Sequence, residues 1–162
     1  MKEIYVRNII FGVADSLVST VGLLAGIDVS GTTRSVIILT GIVYAFVEAF
    51  SMAIGSFLSE ESTEEFEAKT EASDRRPYVG AMVMFVTFVV AAFIPIAPYL
   101  YFSLTTALWL SIAFSIIALF IVGLVIAKIS EIGMLKHALK MVLLGGAAIL
   151  IGVIVGKIVK TT

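Results

Sequence analysis

The chain has 162 residues, of which 60% are hydrophobic and 14% are charged, whereas soluble domains carry about 45–50% apolar and about 25% charged residues. This composition excludes an ordinary soluble domain, and a formal net charge of −1 argues against a nucleic-acid binder that depends on a basic face. The absence of cysteine excludes disulfides, thiolate metal sites and iron–sulfur clusters, and the single histidine, His137, excludes a histidine cluster within one chain.

Five apolar segments are long enough to cross a bilayer as helices, which requires about 20 mostly apolar residues each. Residues 78–127 carry no charge, and this stretch divides into two spans near Pro95, Pro98 and residues 103–106. The sequence therefore predicts an all-α integral membrane protein with a single membrane domain over residues 1–162. Its helices are expected at about residues 9–27, 35–58, 78–101, 106–127 and 139–155.

The distribution of lysine and arginine predicts the orientation, because these residues accumulate on the cytoplasmic side. If the chain crosses the membrane five times, eight of the lysine and arginine residues fall on the side of the N-terminus and three fall on the other side. We therefore expect a cytoplasmic N-terminus, an external C-terminus and a cytoplasmic segment at 59–77. That segment holds an acidic stripe at helical spacing, which either gathers metal ions or is simply a solvated face: Glu60, Glu64, Glu67 and Glu71.

The first predicted helix carries polar and small residues at steps of three and four, which places them on one face. Small residues on a helix face allow another helix to approach closely. Asp15 lies on this face, and a carboxylate within a span is costly and normally faces a partner or a water-filled path. The alternative is a structural carboxylate bonded to Asn8, to Ser19 or to another helix. The face comprises Asn8, Gly12, Asp15, Ser19, Gly22 and Gly26.

The second predicted helix carries Glu48 and Met52 one turn apart. Carboxylate and thioether donors together suit a transition metal such as Fe²⁺ better than Mg²⁺ or Ca²⁺. Helix rise places Asp15 about 12 Å and Met52 about 10 Å deep, with Glu48 one turn further out. We predict a metal site of Asp15, Glu48 and Met52, against a packing role for Met52 or an ion pair of Glu48 with Arg34. A packing stripe runs beside it: Gly41, Ala45, Ala49 and Ala53.

Three segments resemble motifs of the vacuolar iron transporter family. Asp15–Leu17 is similar to the family's "DGL" in the first helix, Ser51–Gly55 to its "SMAxG" at the inner end of the second, and Ile94–Tyr99 to its "(I/L)PLxPY" at the end of the third. The resemblance implies a five-helix homodimer that exchanges Fe²⁺ or Mn²⁺ for protons near the dimer interface, along a path between the first two helices. It assigns Asp15 and Met52 to the family's aspartate and methionine on that path.

The sequence also departs from the family pattern. Ser16 replaces a common glycine, Ser56 replaces an acidic residue, and Tyr44 stands where a second-helix carboxylate often lies, one turn before Glu48. Typical members insert a glutamate-rich, cytoplasmic metal-binding domain between the second and third helices. Here only the segment at 59–77 joins them, so its acidic stripe is at most a reduced counterpart.

The predicted function is export of Fe²⁺ or Mn²⁺ from the cytoplasm by proton antiport, in a prokaryotic plasma membrane and without a tightly bound cofactor. The sequence shows no nucleophile–base set, phosphate loop or cofactor motif, so an enzyme is not expected. Two alternatives stay open. One is a structural or assembly membrane protein whose polar faces serve only helix packing, and the other is a transporter of another divalent cation.

Overall fold

The computed structural model describes the backbone of residues 2–68 and 75–160, and the side chains of residues 5–66 and 75–160. Over these residues the chain forms helices without any strand, and all five helices are long and apolar enough to cross a membrane. This confirms the predicted all-α membrane fold. The helices are α1 (Lys2–Val29), α2 (Arg34–Ala68), α3 (Arg76–Tyr101), α4 (Leu104–Ile129) and α5 (Met134–Lys160).

Helix α2 continues well beyond the apolar span that the sequence predicts. It runs to Ala68, so that Glu60 and Glu64 lie on the same continuous helix as Glu48. Glu67 belongs to the helix by its backbone, whereas its side chain and the whole of Glu71 lie outside the described residues. The polar end of α2 therefore continues past the apolar region as part of the same helix.

The break between α3 and α4 falls after the two prolines rather than at them. Pro95 and Pro98 lie inside α3, which ends where the backbone N–H of Phe102 donates to the carbonyl oxygen of Pro98 at 3.0 Å. Both prolines are buried, and the Ser111 hydroxyl of α4 donates to the Pro95 carbonyl at 2.8 Å. The proline segment thus fixes the packing of α3 on α4, and Phe102 and Ser103 form the turn.

Helix α1 is the centre of the bundle, since it packs against each of the other four helices. Helix α2 is peripheral and packs chiefly on α3. Two aromatic pairs hold these two helices together: Phe46 with Phe85, whose ring centroids lie 6.4 Å apart, and Phe57 with Tyr78, at 4.8 Å. Because the contact of α2 with α1 is less extensive than its contact with α3, the α1–α2 boundary has room for polar side chains and a cavity.

The small residues of α1 serve two different neighbours. Gly12 faces α3, where an added Cβ would lie 3.2 Å from the Met84 carbonyl oxygen. Gly22 and Gly26 face α5, and a Cβ at Gly26 would lie 2.6 Å from the carbonyl oxygen of Gly152. The backbones of α1 and α5 therefore cross in direct contact, the close approach that small residues permit between membrane helices.

The small residues of α2 lie towards the interior. Gly41 contacts Leu24 and Ile96, and Ala45 belongs to the same apolar cluster. Ala49 is fully buried, and Ala53 lines a groove between α2 and α3. The stripe thus covers the inward side of α2.

Candidate functional site

Two carboxylates lie near each other at the boundary between α1 and α2. Asp15 and Glu48 are both half-buried, and they lie close enough for their charges to interact. Two like charges in a partly buried space repel each other, and a cation or a proton held between them relieves the repulsion. Carboxylate oxygens are also the donors that divalent cations prefer. The pair is therefore the strongest candidate for an ion-binding site in the described part of the chain.

A hydroxyl pair lies one turn away, on the side opposite the Glu60 end of α2. The Tyr44 and Ser19 hydroxyls lie close to each other, and the charges of Asp15 and Glu48 both act on Tyr44. The Ser19 hydroxyl also donates to the backbone carbonyl of Asp15 at 2.7 Å. Sequence reasoning did not select Tyr44 as a site residue. The signal was its position one turn before Glu48 on α2.

Met52 lies one turn from the carboxylate pair in the other direction. It lines a cavity together with Asn8 and Phe11 of α1. The depth estimates placed Met52 level with Asp15 and Glu48 one turn further out. In the structure Glu48 is the residue whose charge acts on Asp15, and the level of Met52 relative to Asp15 stays a prediction.

The depth estimates counted from Arg7 on α1 and from Ser59 on α2. In the structure both residues line the same cavity, and Arg7 also forms an ion pair with Glu60, the residue after Ser59.

The cavity beside Met52 has a volume of about 640 Å³. Two of its polar side chains are buried, with Asn8 2% and Ser56 9% exposed, and the Asn8 amide nitrogen and Ser56 hydroxyl have no hydrogen-bond partner among the described residues. Such groups normally bind water or a ligand, because leaving them unpaired is costly. The cavity is lined by Arg7, Asn8, Phe11, Ser51, Met52, Gly55, Ser56, Ser59 and Met84.

The acidic end of α2 is only partly a solvated stripe. Glu60 is buried and forms an ion pair with Arg7 of α1. Glu64, one turn further along, is half-buried and has a buried carboxylate oxygen without a hydrogen-bond partner among the described residues. From the sequence, Arg7 serves to predict the orientation and the depth of Asp15. Its ion pair with Glu60 was not predicted, because the order of residues does not show which carboxylate a lysine or arginine will meet.

A third acidic residue of α1, Asp28, lies far from this site. Its carboxylate accepts a hydrogen bond of 3.0 Å from the hydroxyl of Tyr99, which is fully buried at the end of α3. Asp28 therefore fastens α1 to α3 at the end opposite Glu60.

The described residues of one protomer contain no group of three or more histidine or acidic side chains arranged to hold a metal ion. Asp15 and Glu48 supply two carboxylates, and Met52 is a turn away. An ion bound at this pair thus needs further donors, from water, from backbone oxygens or from another chain.

Comparison with known proteins supports the resemblance found in the motifs. The model of the VIT family matches residues 6–78 and 66–157, which together cover most of the chain. The first of these segments contains Asp15, Glu48 and Met52. A protein of Methanocaldococcus jannaschii, described as uncharacterized, is 25% identical over 154 residues, which span 84% of this chain and 80% of the relative.

Proposed function

Because the chain belongs to the VIT family, we propose that it exports Fe²⁺ or Mn²⁺ from the cytoplasm in exchange for protons. Membership of the family implies membrane transport of divalent metal ions such as iron and manganese, and the five apolar helices are those of an integral membrane protein. The observation that carries the proposal is the proximity of the Asp15 and Glu48 carboxylates at the α1–α2 boundary, where the charge of Glu48 acts on Asp15.

The proposed ion site uses the two carboxylates as its centre. Asp15 and Glu48 supply oxygen donors, the Tyr44 hydroxyl lies beside them, and Met52 offers a sulfur donor one turn along the route. A soft donor on the route favours Fe²⁺ over Ca²⁺, which prefers oxygen alone. Since these donors form no closed shell, we further propose a homodimer in which both copies contribute.

Competition for the same oxygens explains how protons drive the metal ion. A carboxylate must lose its proton to bind metal, so proton uptake and metal binding exclude each other. On the side with more protons, protonation of Asp15 or Glu48 releases the ion. On the cytoplasmic side, loss of the proton allows the next ion to bind. We place this cycle in the plasma membrane of a prokaryote, with the N-terminus in the cytoplasm.

Flux measurements in proteoliposomes test the proposal. Purified protein is reconstituted, a pH gradient is imposed, and Fe²⁺ and Mn²⁺ fluxes are compared for the wild type and Asp15→Asn. We expect gradient-dependent flux in the wild type and a loss of at least about tenfold in the variant, because the amide removes a charge worth more than 1.4 kcal/mol to a bound cation.

The matched control is Asp28→Asn, the same substitution on the same helix at a carboxylate that binds Tyr99 instead. Its flux should stay within about twofold of the wild-type flux, a change that corresponds to less than about 1.4 kcal/mol. Normal flux in Asp15→Asn would contradict the proposed site. Absence of Fe²⁺ and Mn²⁺ flux in folded wild-type protein would favour another cation or the structural alternative.

A further inference from the structure

The cavity beside Met52 is bordered by the ion pair between Arg7 and Glu60. The Glu60 side chain is 8% exposed, whereas that of Arg7 is 61% exposed. The carboxylate therefore belongs to the protein interior, and the guanidinium reaches it from outside. Arg7 also lines the cavity, so its positive charge lies beside any cation that enters there.

A buried carboxylate such as Glu60 needs a cation next to it. Removing one partner of a buried ion pair leaves an uncompensated charge, which is strongly destabilising. Arginine is always protonated and cannot relieve the situation by losing its charge. The Glu60 carboxylate thus stays paired only while the guanidinium, a proton or another cation occupies it, and a divalent metal ion carries twice the charge of the guanidinium.

Further polar atoms close to the ion pair lack partners. Asn8 and Ser56 are 2% and 9% exposed and line the cavity, yet the Asn8 amide nitrogen and the Ser56 hydroxyl form no hydrogen bond within the described part of the chain. Glu64, one turn along α2 from Glu60, has a buried carboxylate oxygen that also lacks a hydrogen-bond partner among the described residues. Water molecules carried by an incoming hydrated cation would satisfy these groups, so the surroundings of Glu60 suit an ion that retains part of its hydration shell.

We propose that Arg7 is a tethered cation that holds the Glu60 carboxylate at the entrance of the cavity and gives way to the incoming divalent metal ion. Arg7 is a positioning residue, whereas Glu60 binds the ion briefly before it moves on to Asp15 and Glu48. This inference rests on the proposed transport function. It adds an entry step at which Arg7 lowers the apparent affinity for metal and Glu60 raises it.

The test compares the metal concentration at half-maximal flux for Arg7→Gln and Glu60→Gln, with Mn²⁺ supplied at the face that carries Arg7. In Arg7→Gln this concentration should fall about three- to tenfold, because one positive charge within a few ångströms of a divalent ion is removed. In Glu60→Gln it should rise by a similar factor, because the carboxylate is lost. A purely structural ion pair would instead impair both variants in the same direction.

Two controls separate the entry step from general effects. Lys128→Gln removes an exposed positive charge on the side of the membrane where Arg7 is predicted to lie, away from the cavity, and should leave the half-maximal concentration unchanged. Arg7→Lys keeps a tethered cation and should stay close to the wild type. If Arg7→Gln fails to fold, the double variant Arg7→Gln/Glu60→Gln, which removes both charges of the ion pair, should show the raised concentration of Glu60→Gln.

The outcomes are distinct for the two levels of the proposal. The entry step would be overturned if both single variants transport metal with an unchanged half-maximal concentration, or if that concentration moves in the same direction in both. The transport function would still stand. A double variant that matches the wild type would also overturn it, since the ion pair would then be structural. Wild-type protein without metal flux would overturn both.

Discussion

Met52 is the residue whose chemistry separates transition metals from other divalent ions along the proposed route. It lies one turn from the Asp15–Glu48 pair and lines the cavity that leads towards Glu60. A thioether contributes little to Mg²⁺ or Ca²⁺ binding but suits softer ions. Under the proposed function, selectivity for Fe²⁺ should therefore depend on the sulfur atom at this position.

Met52→Leu should lower Fe²⁺ flux several-fold while changing flux of Mn²⁺, the harder ion, less. Leucine conserves the volume, so a folding penalty below about 1.5 kcal/mol is expected and the loss reports on the sulfur. Met84→Leu is the matched control, since Met84 lines the same cavity from α3 and is 3% exposed. Equal loss of Fe²⁺ and Mn²⁺ flux in Met52→Leu would show that the side chain acts through packing alone.

At the residue scale, the sequence predicts which carboxylates are candidate site residues better than it predicts which residues surround them. Asp15 and Glu48 stand out because a charge inside an apolar span is costly and needs a reason. The level of Met52 relative to Asp15 stays a prediction, because counting along two helices separately gives no common reference plane. The contacts of Arg7 with Glu60 and of Tyr44 with Ser19 depend on the relative placement of α1 and α2, which helical periodicity within each helix does not contain.

Among the helix pairs, α1 and α5 make the closest backbone contact described here. Gly22 and Gly26 of α1 face Ala148, Gly152 and Gly156 of α5, with no side chain to separate the two backbones. The stripe on α1 could be predicted from the sequence as a packing face. Its partner could not, because every predicted helix contains some small residues, and only the fold shows which of them meet.

Gly26→Ala should lower the free energy of unfolding by about 1–3 kcal/mol, the usual cost of inserting a methyl group into a packed interior. The new Cβ would lie 2.6 Å from the Gly152 carbonyl oxygen. Gly146→Ala on α5 is the matched control, since no atom lies within 4 Å of its added Cβ. It should be neutral or stabilising, because alanine favours helix over glycine by about 1 kcal/mol.

The measurement is denaturant or thermal unfolding in detergent, followed by the helical circular dichroism signal. Gly26→Ala should unfold at a lower denaturant concentration than Gly146→Ala. The same stability for both variants would mean that α1 and α5 can separate at little cost, and would contradict the packing described here.

For the whole molecule, the number of spans follows from composition and length, because the bilayer requires about 20 apolar residues for each crossing. The arrangement of those spans does not. Nothing in the hydrophobic pattern distinguishes α1, which touches every other helix, from the peripheral α2. In a bilayer both sides of most helices are apolar, so the amphipathic signal that orients helices in soluble proteins is weak.

The two-carboxylate site predicts the oligomeric state of the protein. One protomer provides Asp15 and Glu48 but no larger group of acidic or histidine ligands within the described residues. In detergent, light scattering should therefore give twice the 17.3 kDa mass of the protomer after correction for bound detergent. Asp15→Asn should keep that mass while losing flux. A monomer with full transport activity would contradict the shared site.

The peripheral position of α2 has a consequence for how an ion can be passed from one side to the other. Glu48, Met52 and Glu60 all lie on α2, whereas Asp15 and Arg7 lie on the central α1, which is locked to α5 by backbone contact. A modest tilt of α2 would thus separate the proposed ligands Glu48, Met52 and Glu60 from Asp15, while α1, α4 and α5 stay in place. Alternating access would then require the rearrangement of one helix and its α3 neighbour, and the same motion would take Glu60 away from its guanidinium.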